Sequence, residues 1–103
     1  MERINKLKEF LQDSPNDSFL KHALALEYIK LNDDTAARLL FEEVLAYEPE
    51  YVGSYYHLGK LLERAGDATA AISIYEKGME IAKGLKDMHA YNELQAAHED
   101  LVY

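Results

Sequence analysis

Asn32-Asp33-Asp34-Thr35-Ala36-Ala37-Arg38-Leu39-Leu40-Phe41-Glu42 and Gly66-Asp67-Ala68-Thr69-Ala70-Ala71-Ile72-Ser73-Ile74-Tyr75-Glu76 lie 34 residues apart and decide how the chain folds. Asp33 falls on Asp67, Thr35-Ala36-Ala37 on Thr69-Ala70-Ala71, Glu42 on Glu76, and upstream Leu24 falls on Leu58. Tyr28 with Leu62, Phe41 with Tyr75 and Leu45 with Met79 are conservative matches in the same register. A fixed period of this length is the mark of a stacked repeat architecture.

Each copy reads as two helices joined by a tight turn. Leu20, Leu24, Tyr28 and Leu31 recur at three- and four-residue steps, the period of one helix face. Asn32 and Gly66 are residues that accept the left-handed conformation ending a helix. Asp33 and Asp67 follow with carboxylates suited to the free amides of the next helix start. The second helices are expected at about 35–47 and 69–83, and Pro49 forbids continuation of the first of these.

The pattern extends to both ends. Pro15 stands 34 residues before Pro49, and Leu7, Phe10 and Leu11 precede it as Phe41, Val44 and Leu45 precede Pro49. The chain therefore opens on an isolated second helix. A final helix at about 87–101 places Ala90, Tyr91, Leu94, Ala97 and Leu101 on one face. Strict register would set Asn92 where a core leucine belongs; sliding by two residues brings Tyr91 and Leu94 to the core side, and that register is adopted.

These residues resemble the tetratricopeptide repeat. The second unit carries Tyr55-x2-Leu58-Gly59-x2-Leu62 and Ala71-x3-Tyr75; the first carries Lys21-x2-Leu24-Ala25-x2-Tyr28, Ala37-x3-Phe41 and Pro49. The resemblance implies an all-α fold, an α-α superhelix (a TPR-like solenoid) of about six antiparallel helices. It is expected as one domain over 1–103: a half-repeat helix at 2–14, repeats at 18–51 and 52–85, and a capping helix at 86–103. Ala25, Gly59, Ala37 and Ala71 are small where paired helices approach, with Phe41 and Tyr75 filling the space beside them. Two departures stand out. Lys21 replaces an aromatic, so it packs by its aliphatic stem or leaves the site partly wet. Lys83 replaces the proline, so that helix runs on toward Gly84.

The family implies a non-catalytic protein-interaction module that holds a partner peptide or helix in a concave groove lined by first helices. Carried over by position, the groove residues are Phe19, His22, Leu26 and Ile29 in the first unit and Tyr56, Lys60 and Glu63 in the second. Residues 19, 22, 26 and 29 also form one helical stripe distinct from Leu24 and Tyr28. Packing of Phe19, Leu26 and Ile29 inside the fold is the plainer reading of that stripe. Family members that clamp acidic chaperone tails carry basic and amide residues where this chain has His22, Leu26, His57, Asp87 and Tyr91, so that specialisation is not expected. Self-association into a homodimer through the same apolar surface is the alternative reading, and an undetected enzyme or metal-binding protein is the third.

Composition narrows the partners. The 103 residues hold 11 basic and 19 acidic side chains, net charge −8, which opposes phosphate neutralisation; neither nucleic acid nor membrane is expected as a partner. There is no cysteine, so disulfides and thiolate chemistry are excluded. His22, His57, His89 and His98 form no i,i+4 pair, no Gly-rich phosphate loop or nucleophile motif is present, and no cofactor is expected. Met1–Phe10 lacks a secretory apolar stretch, and the expected setting is the cytoplasm. Residues 18–51 sum to −4, with Glu42, Glu43 and Glu48 on an outward helix; solubility or steering toward a basic partner accounts for them.

Overall fold

The computed structural model describes residues 2–103. Among them are six helices and no strand: α1 (Glu2–Asp13), α2 (Ser18–Lys30), α3 (Asp34–Tyr47), α4 (Gly53–Arg64), α5 (Ala68–Gly84) and α6 (Met88–Val102). They fall into two compact units, α1 to α3 up to Glu48 and α4 to α6 over Pro49–Tyr103.

One three-residue link is used three times: Leu31-Asn32-Asp33, Ala65-Gly66-Asp67 and Leu85-Lys86-Asp87. The middle residue takes a left-handed φ of 61°, 82° and 60° in turn. Its N–H donates to the carbonyl three residues back, at Ile29, Glu63 and Lys83. The aspartate N–H donates five residues back, to Tyr28, Leu62 and Ala82, at 2.9 Å in each case. This is the Schellman closure, which satisfies the last carbonyls of a helix. The aspartate side chain then accepts the N–H of Ala36, Ala70 or Ala90 at 3.0–3.1 Å. Each aspartate thus closes one helix through its backbone and opens the next through its carboxylate. The first two links match the expectation for Asn32-Asp33 and Gly66-Asp67; the third sets a lysine, Lys86, in the left-handed place.

In the first unit α1 lies on α2 through Ile4, Leu7, Ala23 and Leu24, with Leu11, Leu20, Tyr28 and Leu40 partly buried against them. Between α2 and α3, Ala25, Ala37, Phe41 and Val44 have no exposed surface. Lys21 resolves its departure by folding inward. Its side chain is 16% exposed and its Nζ lies 3.2 Å from Glu43 Oε1. The stem covers apolar surface while the charge stays paired.

In the second unit Tyr55, at the place equivalent to Lys21, is buried and donates its hydroxyl to the Pro49 carbonyl at 2.6 Å. Gly59 and Ala71 allow the expected close approach, with Tyr75 fully buried beside them. A methyl on Gly59 would come within 2.6 Å of Tyr75 Cζ and 2.7 Å of Cδ1. A second close approach lies at Gly78, where a methyl would meet Tyr55 Cβ at 2.6 Å and Leu94 Cδ1 at 3.0 Å. Leu94 and Ala97 are buried, Tyr91 is half-buried and Asn92 is exposed, which is the slid register for α6. Without a proline at 83, α5 runs to Gly84 over 17 residues, the longest helix described.

The Lys86 link carries a backbone conformation that costs a side-chain-bearing residue about 1–2 kcal/mol, part of which glycine returns as unfolded-chain entropy. Lys86→Gly is expected to stabilise the protein by about 0.5–1 kcal/mol, and Gly66→Lys to destabilise it similarly, because Gly66 faces open space and backbone strain is the whole effect. Urea midpoints of the two variants check this. A loss on Lys86→Gly would contradict the assignment of strain to that link.

Candidate functional site

The first helix of each repeat carries residues that its own unit leaves partly uncovered. On α2 the stripe Phe19, His22, Leu26 and Ile29 runs along one side. Phe19 is 68% exposed, while His22, Leu26 and Ile29 are half-buried. Burial inside the fold, the plainer reading for Phe19, Leu26 and Ile29, therefore applies in part to Leu26 and Ile29 and not to Phe19. The His22 ring stands edge-on to the buried Phe41 ring, centroids 5.3 Å apart and planes at 68°, so it is anchored to the core.

On α4, Tyr56, Lys60 and Glu63 are half-buried and interact with one another. The Lys60 ammonium sits 5.6 Å from the Tyr56 ring centroid and 3.6 Å from Glu63 Oε2. That same carboxylate oxygen accepts a hydrogen bond from the hydroxyl of Tyr75, which belongs to the buried face of α5. Burial first, and then the bond to Glu63 and its charge, push the Tyr75 phenol well above its usual range. Tyr75 therefore stays a neutral donor, and Glu63 is held on the α4 face by the core beneath it. Beside it, the Tyr56 and His57 rings meet edge to face at 5.6 Å.

Thirty-four residues earlier the same two places hold Ile29 and Phe41. The first repeat thus fills them with two apolar side chains and the second with a carboxylate and a phenol. A buried hydroxyl needs a partner, and Glu63 supplies it. The sequence reading treats Tyr75 as a space-filler and Glu63 as a face residue; their joint departure from Phe41 and Ile29 is the signal that links them. Of the residues weighed for a chaperone-tail clamp, Asp87 has its carboxylate engaged as the α6 cap. Among the described residues no group of three or more histidines and carboxylates could hold a metal ion, and no helix is long and apolar enough to cross a membrane.

The model of the tetratricopeptide repeat matches residues 20–51 and 52–84. This chain belongs to the tetratricopeptide repeat family. Its all-α fold is similar to a crystal structure of a tetratricopeptide repeat domain protein from Salinibacter ruber, with 41% identity and a TM-score of 0.80 over 82% of this chain and 94% of that one. It is also similar to the solution structure of a Bordetella parapertussis protein, at 26% identity and TM-score 0.82 over 95% of this chain and 85% of that one. The aspartyl/asparaginyl beta-hydroxylases of Homo sapiens and Mus musculus are each 30% identical over 74 residues, 72% of this chain. The chain spans 10% of the length of those enzymes. Tetratricopeptide repeats are generally protein-interaction modules.

Burial holds His57 of this tetratricopeptide repeat protein below the ordinary imidazole value of 6.5, with Glu93 pulling weakly the other way. The folded state then binds fewer protons than the unfolded chain just below pH 6.5. Stability from this group is present above that pH and is lost as pH falls through the lowered folded value. Wild-type unfolding midpoints are expected to drop between pH 7 and pH 5.5 more steeply than those of His57→Gln, by less than the one-proton limit of about 1.4 kcal/mol per pH unit. Parallel profiles for the two proteins would show that His57 is not the group responsible.

Proposed function

We propose that the chain is a non-catalytic protein-interaction module whose contact residues for a partner peptide or helix are Phe19, His22, Leu26 and Ile29 on α2, with Tyr56, Lys60 and Glu63 on α4. The observation that carries this reading is the exposure of Phe19 at the head of an apolar stripe on an ordered helix. A large ring on a rigid element contributes contact area at small entropic cost and desolvates readily. Three half-buried neighbours continue the stripe and keep its base fixed. The two faces offer different chemistry. That of α2 suits apolar side chains, with the His22 ring at its edge. That of α4 offers a flat ring and a lysine whose charge Glu63 already balances, which favours polar over strongly charged segments. The hydroxylase likeness does not extend the reading to catalysis, since it covers only a tenth of those enzymes.

Peptides selected from a random displayed library against the wild-type chain test the proposal. Leu26→Asp is expected to weaken their binding at least tenfold, and Tyr56→Ala to weaken it less, without loss of helix content. Equal affinity for wild type and Leu26→Asp would remove the α2 face from the account. Light scattering over a dilution series separates the rival: a dimer that Leu26→Asp dissolves would assign the face to self-association.

A further inference from the structure

We propose that the outward face of α3 is a second docking surface and that its occupant is a basic amphipathic helix from another protein. Leu39 and Tyr47 on this face are 57% and 62% exposed. Leu39, Glu42, Glu43, Ala46 and Tyr47 fall at steps of three, four, seven and eight, one side of a helix. A shallow cleft of about 550 Å³ runs along the N-terminal half of that side, lined by Asp33, Thr35, Ala36, Arg38, Leu39 and Glu42.

The duplicated repeat supplies an internal control. Thirty-four residues later, Ser73 occupies the place of Leu39 and Glu80 that of Ala46, and both are exposed. The same helical hairpin folds with polar residues there, so packing does not require a leucine at 39. Leu39 is therefore apolar surface that the fold does not use, with Ala46 and Tyr47 about two turns further along the same side.

Charge selects the occupant. Residues 33–48 hold five acidic side chains, Asp33, Asp34, Glu42, Glu43 and Glu48, against the single cation Arg38. Glu42 pairs with Arg38 at 3.0 Å and Glu43 with Lys21 at 3.2 Å, and both carboxylates remain 44–47% exposed. The Arg38–Glu42 pair, exposed on both sides, is worth little and exchanges readily with a partner's cation, whereas Glu43 stays paired to the inward-folded Lys21. An apolar centre with an acidic rim is complementary to a helix that alternates leucine-like and Lys/Arg residues. A second copy of this chain, with net charge −8, and an anionic lipid surface both meet repulsion there.

The probe is a synthetic helical Leu/Lys peptide, with a Leu/Glu peptide of the same apolar pattern as control. Backbone amide shifts and fluorescence anisotropy are read on the full chain. The Leu/Lys peptide is expected to shift amides of α3 and to bind more weakly as salt rises; the Leu/Glu peptide is expected not to bind. Leu39→Ser, the residue that the second repeat carries, should weaken binding at least tenfold. Leu39→Lys, a good helix former, should do the same by repulsion if the serine variant folds poorly. Leu26→Asp should leave this binding unchanged, which keeps the result separate from the α2 reading. Absence of binding, shifts confined to other helices, or equal affinity of the Leu39 variants would overturn the proposal. So would concentration-dependent shifts of α3 without peptide, which assign the face to a second copy.

Discussion

The backbone of α4 passes the ring of Tyr75 at a distance that leaves no room for a Cβ on Gly59. This contact sets how near α4 and α5 come, because a fully buried ring in a close-packed interior cannot give way cheaply. It also has a chemical consequence. A phenol at that depth needs an acceptor, and Glu63 on the outer side of α4 supplies it. The same packing that joins two helices therefore fixes a carboxylate on the α4 face, and through it Lys60 beside Tyr56. In the first unit Ala25, Ala37 and Phe41 hold the equivalent places, and α2 presents an apolar stripe in place of a charged one. The phenol hydroxyl thus accounts for a carboxylate at 63 where the first repeat has Ile29.

Close approach needs turns short enough to hold the helices side by side, and the repeated link provides them. A left-handed residue followed by aspartate reverses the chain in three residues with the end carbonyls and the next amides both satisfied. Its third use, at Lys86-Asp87, joins α5 to α6 by the same device that joins the two helices within each repeat. With α5 running to Gly84, this sets α6 so that Leu94 and Ala97 reach the core. Gly78 admits Leu94 beside Tyr55, which makes a second helix-to-helix approach depend on a missing side chain.

Where local chemistry fixes local structure, the residues could be read directly. Asn32, Gly66, Asp33 and Asp67 name their conformations and caps, and the period of 34 residues aligns Gly59 with Ala25 and Tyr75 with Phe41. The extension of α5 and the two-residue slide of α6 follow from the missing proline and from Asn92. What the sequence left open depends on contacts between helices. Nothing in the identity of lysine marks Lys86 as left-handed; only its place before a capping aspartate does. Lys21 looks like a solvated charge until Glu43 is brought from α3 to meet it. Gly78 looks like a weak point in a helix until Tyr55 arrives against it. Phe19, His22, Leu26, Ile29, Tyr56, Lys60 and Glu63 could be placed on their helices by periodicity, but not the degree of cover over each, which neighbouring side chains decide.

The face of α4 is held from beneath by the packed ring of Tyr75. The most direct test of that dependence is a double-mutant cycle between Gly59→Ala and Tyr75→Leu, read by urea denaturation. Gly59→Ala should cost about 1–3 kcal/mol in the wild type and close to nothing, or gain slightly through helix propensity, once the ring is gone. Equal cost in both backgrounds, within about 0.5 kcal/mol, would show that the approach of α4 to α5 does not rest on Tyr75.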